Sequence, residues 1–205
     1  MHKEILIKGQ IELLPLLRAF SKEYYLVGGT AIALYLGHRQ SIDFDLFTAK
    51  PIKRLSIKNT IETNNFRTQE VIYEAFDQLH LIVNSVKITF FNYPFSVIPY
   101  NYFNDIIQMP SLLDLAAMKV YALGGRAKWK DYVDIYFILK ERHSLKEISL
   151  RAKQIYQNYY NEKLFREQLS YFEDLDFSEE IKYMGHEIKQ QKIKTFLQDI
   201  ATEEF

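Results

Sequence analysis

Residues 26–48 read LVGGTAIALYLGHRQSIDFDLFT, a stretch that joins a Gly-Gly turn to two aspartates spaced one residue apart, Asp43 and Asp45. Successive side chains of an extended strand point to opposite faces, so these two carboxylates project together while Phe44 and Leu46 face the core. Two carboxylates on one face can hold divalent cations, and Mg²⁺ prefers such oxygen ligands. The spacing therefore predicts a metal site for Mg²⁺ (or Mn²⁺), of the kind used in two-metal nucleotide chemistry.

The first half of the same stretch predicts a phosphate-binding turn. Residues 24–27 form a β-favouring run, and Gly28 and Gly29 then let the backbone turn sharply and approach a ligand closely. Thr30 is expected to begin a helix over residues 31–36 as its N-cap, and the free N–H groups of a helix N-terminus bind phosphate. A tight turn followed by a half-exposed edge strand is the alternative interpretation. The order of strand, turn, helix and Asp-x-Asp strand favours a binding site.

Composition limits the function classes. The 205 residues suit one large domain, or a domain with a smaller helical companion. Lys plus Arg equals Asp plus Glu at 26 each, so no net charge draws the chain to nucleic acid. The absence of cysteine excludes disulfides and zinc-thiolate sites and favours the cytoplasm. The charged N-terminus is unlike a signal peptide, and no stretch could span a bilayer, so no membrane association is expected.

Elements along the chain predict a sheet followed by helices. Helices are expected over residues 10–20 and 55–63, and strands over 66–76, 79–83 and 86–92, with a hairpin turn at Asn84-Ser85. From Ser111 onward the pattern is helical almost to the end. The predicted fold class is therefore α+β: a mixed β-sheet domain with helices over residues 1–109, followed by a C-terminal helical bundle over residues 110–205.

A lysine lies on the apolar face of the first C-terminal helix. Ser111 and Asp114 form a capping-box-like start for this helix, and Lys119 follows among neighbours such as Leu115 and Ala116. An ammonium in such surroundings must be paired or must extend its end to solvent. We therefore expect a phosphate or carboxylate partner for Lys119. The five histidines show no spacing typical of metal ligands, so they are expected at the surface or at caps.

Residues 126–134, RAKWKDYVD, place three cations and two aspartates around one helix start. Asp131 and Asp134 share a face at i, i+3. Aspartate in a first turn complements the helix dipole, and this structural role explains the pair adequately. The alternative is that Asp131 points into the site as a metal-facing carboxylate or general base. The cations available to a triphosphate would then be Arg126, Lys128 and Lys130.

Three segments together resemble a known family: LVGGTAIALYLGHRQSIDFDLF, LLDLAAMKVYAL and RAKWKDYVDIYFIL. They resemble the AbiEii/AbiGii nucleotidyltransferase toxins of the DNA polymerase β-like superfamily, over most of residues 24–139. The resemblance implies an NTP- and Mg²⁺-dependent transfer of a nucleotide to an RNA, such as a tRNA 3′ end, or to a protein. It also implies a nucleotidyltransferase-like fold, a role in a toxin-antitoxin or phage-defence system, and a cognate antitoxin as partner.

The resemblance also assigns roles to individual residues. Asp43 and Asp45 would bind the metal, and with Lys119 and Asp131 they would form the catalytic set, supported by Asp134. The residues that it implies for nucleotide binding are Gly28, Gly29, Thr30, Arg39, Ser41, Lys119, Arg126 and Lys130.

The sequence departs from the family pattern at Thr89, where relatives often carry a third metal carboxylate on a later strand. A threonine hydroxyl is neutral and does not readily lose its proton, although alternation puts Thr89 and Lys87 on the same strand face. Either Asp131 takes over the base role, or the chain is a nucleotide-binding pseudoenzyme with weakened activity. A third alternative is an enzyme that nucleotidylates a small molecule such as an antibiotic.

Overall fold

A computed structural model describes residues 1–125 and 127–203 of the chain. The helices are α1 (Lys8–Glu12), α2 (Leu14–Phe20), α3 (Gly28–Leu36), α4 (Arg54–Thr63), α5 (Leu112–Leu123), α6 (Trp129–Glu141), α7 (Leu145–Tyr156), α8 (Glu162–Ser170) and α9 (Gln190–Thr202). The strands are β1 (Tyr25–Val27), β2 (Phe44–Thr48), β3 (Thr68–Glu74), β4 (Gln78–Val83), β5 (Val86–Asn92), β6 (Asn101–Phe103) and β7 (Ile107–Met109). The predicted α+β class is confirmed.

The first five strands form one mixed sheet in the order β1-β2-β5-β4-β3. β2 and β5 run parallel, whereas the other neighbouring strands are antiparallel. Parallel strands need a long crossover, and here it contains α4, β3 and β4. This crossover makes β2 and β5 neighbours in the centre of the sheet, although they lie far apart in sequence.

The two faces of the sheet differ in chemistry. One face carries buried apolar side chains such as Phe44, Leu46 and Phe90, and Phe90 packs edge-on against Phe20 of α2 with ring centroids 4.9 Å apart. On the other face the strand register aligns polar side chains in a row. Asp45 of β2 pairs with Thr89 of β5, and Thr89 pairs with His80 of β4. This polar face is where a site can form.

The predicted helix over residues 10–20 is two helices. α1 ends at Glu12, and Pro15 lies in the first turn of α2. Proline is tolerated in a first turn because the N–H group that it lacks has no helical partner there. The predicted hairpin turn is confirmed, with φ of 49° at Asn84 and 60° at Ser85. Positive φ at both central residues is what a type I′ hairpin requires.

The prediction that Thr30 caps a helix is wrong. α3 begins at Gly28, directly after β1, and Val27 is the residue at its N-cap. Thr30 is therefore already inside the helix, where its buried hydroxyl donates a hydrogen bond to the main-chain carbonyl of Asp43. Thr30 joins the start of α3 to the segment that leads into β2.

Asp43 lies just before the strand on which it was expected, since β2 begins at Phe44. Its carbonyl accepts hydrogen bonds from Thr30 and from the Gln10 side-chain amide at 3.3 Å. Side chains of two helices thus hold this position in place of a neighbouring strand.

The last strand, β7, pairs with β6 in a separate two-stranded sheet, and helices follow it, as predicted. β7 ends at Met109, and the Ser111 hydroxyl accepts the Asp114 N–H to cap α5. Buried side chains from both parts belong to one continuous core, and Tyr35 donates a hydrogen bond to the carbonyl of Pro110 at 2.9 Å. A division into domains at residue 110 stays a prediction. No helix among residues 1–125 and 127–203 combines the length and apolar character that a membrane crossing requires.

Candidate active site

A pocket of about 750 Å³ lies between the polar face of the sheet and α5. Its volume is in the range typical of small-molecule sites. Its polar lining comes from Asp45, Gln78, His80, Lys87, Thr89 and Lys119, and its aromatic lining from Phe47, Phe91, Tyr93 and Tyr121. Gly28 also lines it. Of the residues predicted for the site, the structure therefore brings Gly28, Asp45, Thr89 and Lys119 to one pocket.

Gly28 has a specific steric role beside Asp45. Its φ is +72°, and a Cβ at this position would lie 2.1 Å from Oδ2 of Asp45. No side chain could occupy that space without displacing the carboxylate. The turn thus needs glycine both for its backbone conformation and for the close approach of Asp45.

Gly29 makes room for a different group. A Cβ at Gly29 would lie 2.6 Å from Nη2 of Arg39. Arg39 is buried, and its Nε and Nη2 donate to the two carboxylate oxygens of Asp134 at 2.7 and 2.8 Å. Such a bidentate pair suits the planar guanidinium. Arg39, implied by the resemblance as a nucleotide ligand, ties the segment before β2 to α6.

The segment before β2 is fixed by further contacts. The hydroxyls of Ser41 and Thr30 are hydrogen-bonded to each other at 2.9 Å. The Asp43 carboxylate pairs with Lys87 of β5, with Oδ2 and Nζ 3.2 Å apart. Because Lys87 lines the pocket, this pair brings Asp43 to the same side of the sheet as Asp45. Binding of nucleotide by Thr30 and Ser41 stays a prediction.

Lys119 has carboxylate partners. A phosphate or carboxylate partner was expected from its apolar surroundings. Its Nζ donates to Oδ1 of Asp131 at 2.7 Å and lies 3.1 Å from Oδ2 of Asp134. Burial opposes the charge of Lys119, but the two carboxylates outweigh it and raise the pKa of the ammonium above its ordinary value of 10.5. Lys119 is therefore a charged, fixed group at the edge of the pocket.

Asp131 is not among the residues that line the pocket. It is fully buried, and its carboxylate accepts a hydrogen bond from Lys119. A buried ammonium requires a counter-charge, and α6 presents Asp131 and Asp134 one turn apart to provide it. Asp131 thus holds Lys119 in the folded chain, and its catalytic role stays a prediction.

Asp134 joins three cationic or polar side chains. Besides Arg39 and Lys119, it contacts Nε2 of His38 at 2.8 Å. Burial alone would raise the pKa of Asp134, but the charges of Arg39 and Lys119 hold it well below its ordinary value of 3.8. Burial lowers the pKa of His38, which favours a neutral imidazole that donates to Asp134. This network links the segment before β2 to α5 and α6.

The described basic residues at the start of α6 form ion pairs outside the pocket. Lys128 and Lys130 both pair with the carboxylate of Glu179, which lies between α8 and α9. Neither lysine lines the pocket beside Asp45. The expected contact of Lys130 with a nucleotide thus has a competing partner. Arg126, the third expected cation, lies outside the described residues.

His80 and Gln78 are pocket residues that the sequence analysis missed. The imidazole Nε2 of His80 is 2.9 Å from Oε1 of Gln78, and both side chains lie on the polar face of β4. The alternation of β4 predicts that they share a face, but only the strand register puts His80 beside Thr89 and Gln78 beside Phe91. Histidine spacing in the sequence carries no signal for this placement.

Asp43 and Asp45 provide carboxylate oxygens of the kind that a divalent cation binds. Within residues 1–125 and 127–203, no group of three His, Asp or Glu side chains is poised around one point. Mg²⁺ is commonly held by one or two protein carboxylates and by phosphate oxygens of the substrate, so two carboxylates suffice. The pairing of Asp43 with Lys87 indicates that this position already attracts a cation.

Comparison with known proteins finds matches over most of the chain. A family model described as the nucleotidyl transferase AbiEii toxin of type IV toxin-antitoxin systems matches residues 16–204. An uncharacterized protein of Aquifex aeolicus is 30% identical over 187 residues, which cover 86% of this chain and 89% of that protein. The alignment thus spans most of both chains.

Two solved structures share the fold. MenT4, a nucleotidyltransferase toxin of Mycobacterium tuberculosis, superposes with a TM-score of 0.61 at 12% identity, covering 95% of this chain and 82% of that one. JHP933 of Helicobacter pylori superposes with a TM-score of 0.60 at 14% identity, covering 96% and 91%. At such identities the likeness concerns the fold alone.

Proposed function

The chain belongs to the AbiEii family of nucleotidyltransferase toxins, and on that premise we propose that it transfers a nucleotide from an NTP to a hydroxyl of an RNA or protein acceptor. We propose that the reaction depends on Mg²⁺ (or Mn²⁺), that it takes place in the cytoplasm, and that a cognate antitoxin counteracts it. One observation carries the proposal. Asp45, seated against Gly28, and Lys119, fixed by two carboxylates, line one pocket from opposite walls.

Asp43 and Asp45 are the proposed metal ligands. A cation bound there would neutralise phosphate charge and polarise the phosphoryl oxygens. Lys87 now pairs with Asp43, so a metal and Lys87 compete for the same carboxylate, and the released ammonium can pair with a phosphate. The main-chain N–H groups at the start of α3 lie beside Asp45 and suit phosphate oxygens.

Lys119 is the proposed charge-stabilising residue. An ammonium has three N–H donors; that of Lys119 donates to Asp131 and lies 3.1 Å from Oδ2 of Asp134. We propose that a remaining N–H donates to a phosphate oxygen in the pocket. Because its position is set before the substrate binds, Lys119 can stabilise the charge that develops on pyrophosphate without reorganisation.

The aromatic wall of the pocket, formed by Phe47, Phe91 and Tyr93, is the proposed site of the nucleobase. Phe47, Phe91 and Tyr93 contact one another ring to ring, with centroids 5.0 to 5.9 Å apart. Tyr121 stacks on Tyr156 behind this wall, with centroids 4.2 Å apart. Stacking on aromatic rings accepts any base, since every base presents a π face. The wall thus supports binding of an NTP without favouring one base.

A second candidate function is nucleotide binding without transfer. The observation that favours it is Thr89, whose hydroxyl lies where the family resemblance implies a third carboxylate. Such a protein would bind NTP and metal in the same pocket and release both unchanged.

One assay separates the two candidates. The purified chain is incubated with Mg²⁺ and each common NTP labelled at the α-phosphate, together with total RNA and total protein as acceptors. We expect label on an acceptor with the native chain and with Asp199→Asn, an exposed position on α9, and none with Asp45→Asn. NTP binding by calorimetry without label transfer would support the second candidate instead.

A further inference from the structure

The transfer reaction needs a group that accepts the proton of the attacking hydroxyl, and three side chains in or near the pocket are unsuited to this role. Asp131 is fully buried against Lys119. Thr89 is neutral and not readily deprotonated. The hydroxyl of Tyr93 is bonded to Tyr156, and burial raises the pKa of Tyr93 to about 12. None of these groups accepts a proton readily at neutral pH.

His80 lies at the end of the polar row. The register runs from Asp45 of β2 through Thr89 of β5 to His80 of β4, and all three side chains line the pocket. Adjacent strands are about 4.8 Å apart, which puts His80 roughly 10 Å from Asp45 across the sheet. A group there can contact an acceptor whose hydroxyl approaches a phosphate held beside Asp45.

The neighbour of His80 sets its tautomer. Nε2 lies 2.9 Å from Oε1 of Gln78, and an amide oxygen can only accept a hydrogen bond. Nε2 therefore carries the proton, and the lone pair lies on Nδ1. Burial and the nearby charge of Lys87 lower the pKa of His80 below its ordinary value of 6.5, against the opposing charge of Asp45, so the ring is neutral at pH 7. Among the described residues, further titratable groups near His80 are Tyr73 of β3, at 5.4 Å between ring centroids, and Tyr93, Lys119 and Tyr121, which line the same pocket.

Resting on the proposed function, we propose that His80 is the general base of the transfer, with Gln78 as the residue that positions its ring. The acceptor oxygen forms a bond to the α-phosphorus while the bond from that phosphorus to the oxygen bridging the β-phosphate breaks. Pyrophosphate leaves with that electron pair. The hydroxyl proton passes to Nδ1 of His80, and the imidazolium returns it to solvent.

The test compares His80→Ala with His143→Ala. His143 lies between α6 and α7 and pairs with Glu147 outside the pocket. We expect His80→Ala to lower the transfer rate by about 10²-fold or more, with NTP affinity by calorimetry unchanged. Free imidazole in the buffer should restore part of the rate. His143→Ala should retain the native rate and gain nothing from imidazole.

The pH dependence of the transfer rate distinguishes a general base from a residue that only supports the structure. The native rate should fall as the pH drops through the pKa of His80, because the base must be neutral, and Gln78→Glu should move this fall to higher pH by stabilising the imidazolium. His80→Gln, which keeps a side chain of similar polarity in the sheet, should lack the fall altogether.

Nitrogen NMR of the native chain tests the tautomer without any turnover. We expect a proton on Nε2 and none on Nδ1 at pH 7.5, and the reverse tautomer would overturn the proposal. A transfer rate for His80→Ala within about threefold of the native rate would overturn it as well. Absence of transfer by the native chain would instead overturn the proposed function, and the base assignment with it.

Discussion

Asp45 and Thr89 lie side by side in register on the parallel strands β2 and β5. Both side chains line the pocket, so a carboxylate and a hydroxyl stand where the family resemblance implies two carboxylates. Thr89 thus occupies the position of a third metal ligand but lacks the negative charge of a carboxylate. Because the charge is what binds a cation, this pair decides how tightly the site can hold metal.

Thr89→Asp should strengthen metal binding. A carboxylate beside Asp45 adds a charged oxygen ligand, and we expect the affinity for Mg²⁺ to rise by about tenfold or more, the scale on which single changes in a metal's surroundings act. A Mn²⁺ titration monitored by electron paramagnetic resonance measures the gain in metal affinity directly.

The matched control for this variant is Thr68→Asp, at the start of the edge strand β3 and away from the pocket. It should leave metal affinity unchanged. Equal affinities for native protein and Thr89→Asp would show that the metal does not bind between β2 and β5.

Gly28→Ala should impair the site without removing a functional group. The added Cβ would lie 2.1 Å from Oδ2 of Asp45, so the carboxylate must move. A displacement of this size at a reacting group can lower the rate by about 10²-fold. Gly185→Ala is the control, because a Cβ there meets no atom within 4 Å. Equal transfer rates for the two variants would contradict the close fit of Gly28 and Asp45.

Asp134→Asn should destabilise the fold. The substitution leaves the buried Arg39 and Lys119 without one of their counter-charges, and breaking a buried pair in this way costs about 3–5 kcal/mol. Urea unfolding measures the loss, with Asp199→Asn, at an exposed position of α9, as the control. A loss below about 1 kcal/mol, as for an exposed ion pair, would show that the network contributes little to stability.

The same carboxylate predicts an acid limit to stability. The pKa of Asp134 is held well below 3.8 in the folded chain, so its contribution is fully present above the unfolded pKa of about 3.9 and is lost as the pH falls through the folded value. The free energy of unfolding should therefore drop in this range by up to about 1.4 kcal/mol per pH unit for this one group. Asp134→Asn should lack this component of the drop. If the free energy of unfolding of both proteins fell in parallel with pH, Asp134 would not be the source of this acid limit.

Much of the site could be predicted from local sequence because its constraints are local. The Gly-Gly turn and the Asp-x-Asp spacing fix a helix start and a strand face within a few residues, and Gly28 and Asp45 do meet in the pocket. The apolar surroundings of Lys119 likewise required a partner, and α6 provides two carboxylates.

The remaining features depend on long-range pairing, for which the local pattern has no signal. His80 reaches the site only because β4 pairs with β5 in one particular register. Arg39 and Asp134 are hydrogen-bonded across 95 positions of sequence, a buried link that no local pattern indicates, while nucleotide binding by Arg39 stays a prediction. Thr30 was predicted as a cap because a Gly-Gly pair was expected to precede the helix, whereas the helix begins at Gly28.

Where the α- and γ-phosphates of the NTP go after reaction tests most directly whether the chain transfers a nucleotide. Parallel reactions receive NTP labelled at the α-phosphate or at the γ-phosphate, and both the acceptor and the released pyrophosphate are counted. Nucleotide transfer predicts that α-label stays on the acceptor while γ-label leaves in pyrophosphate in equal amount, and that Asp45→Asn abolishes both. Retention of γ-label on the acceptor, or undiminished transfer by Asp45→Asn, would contradict it.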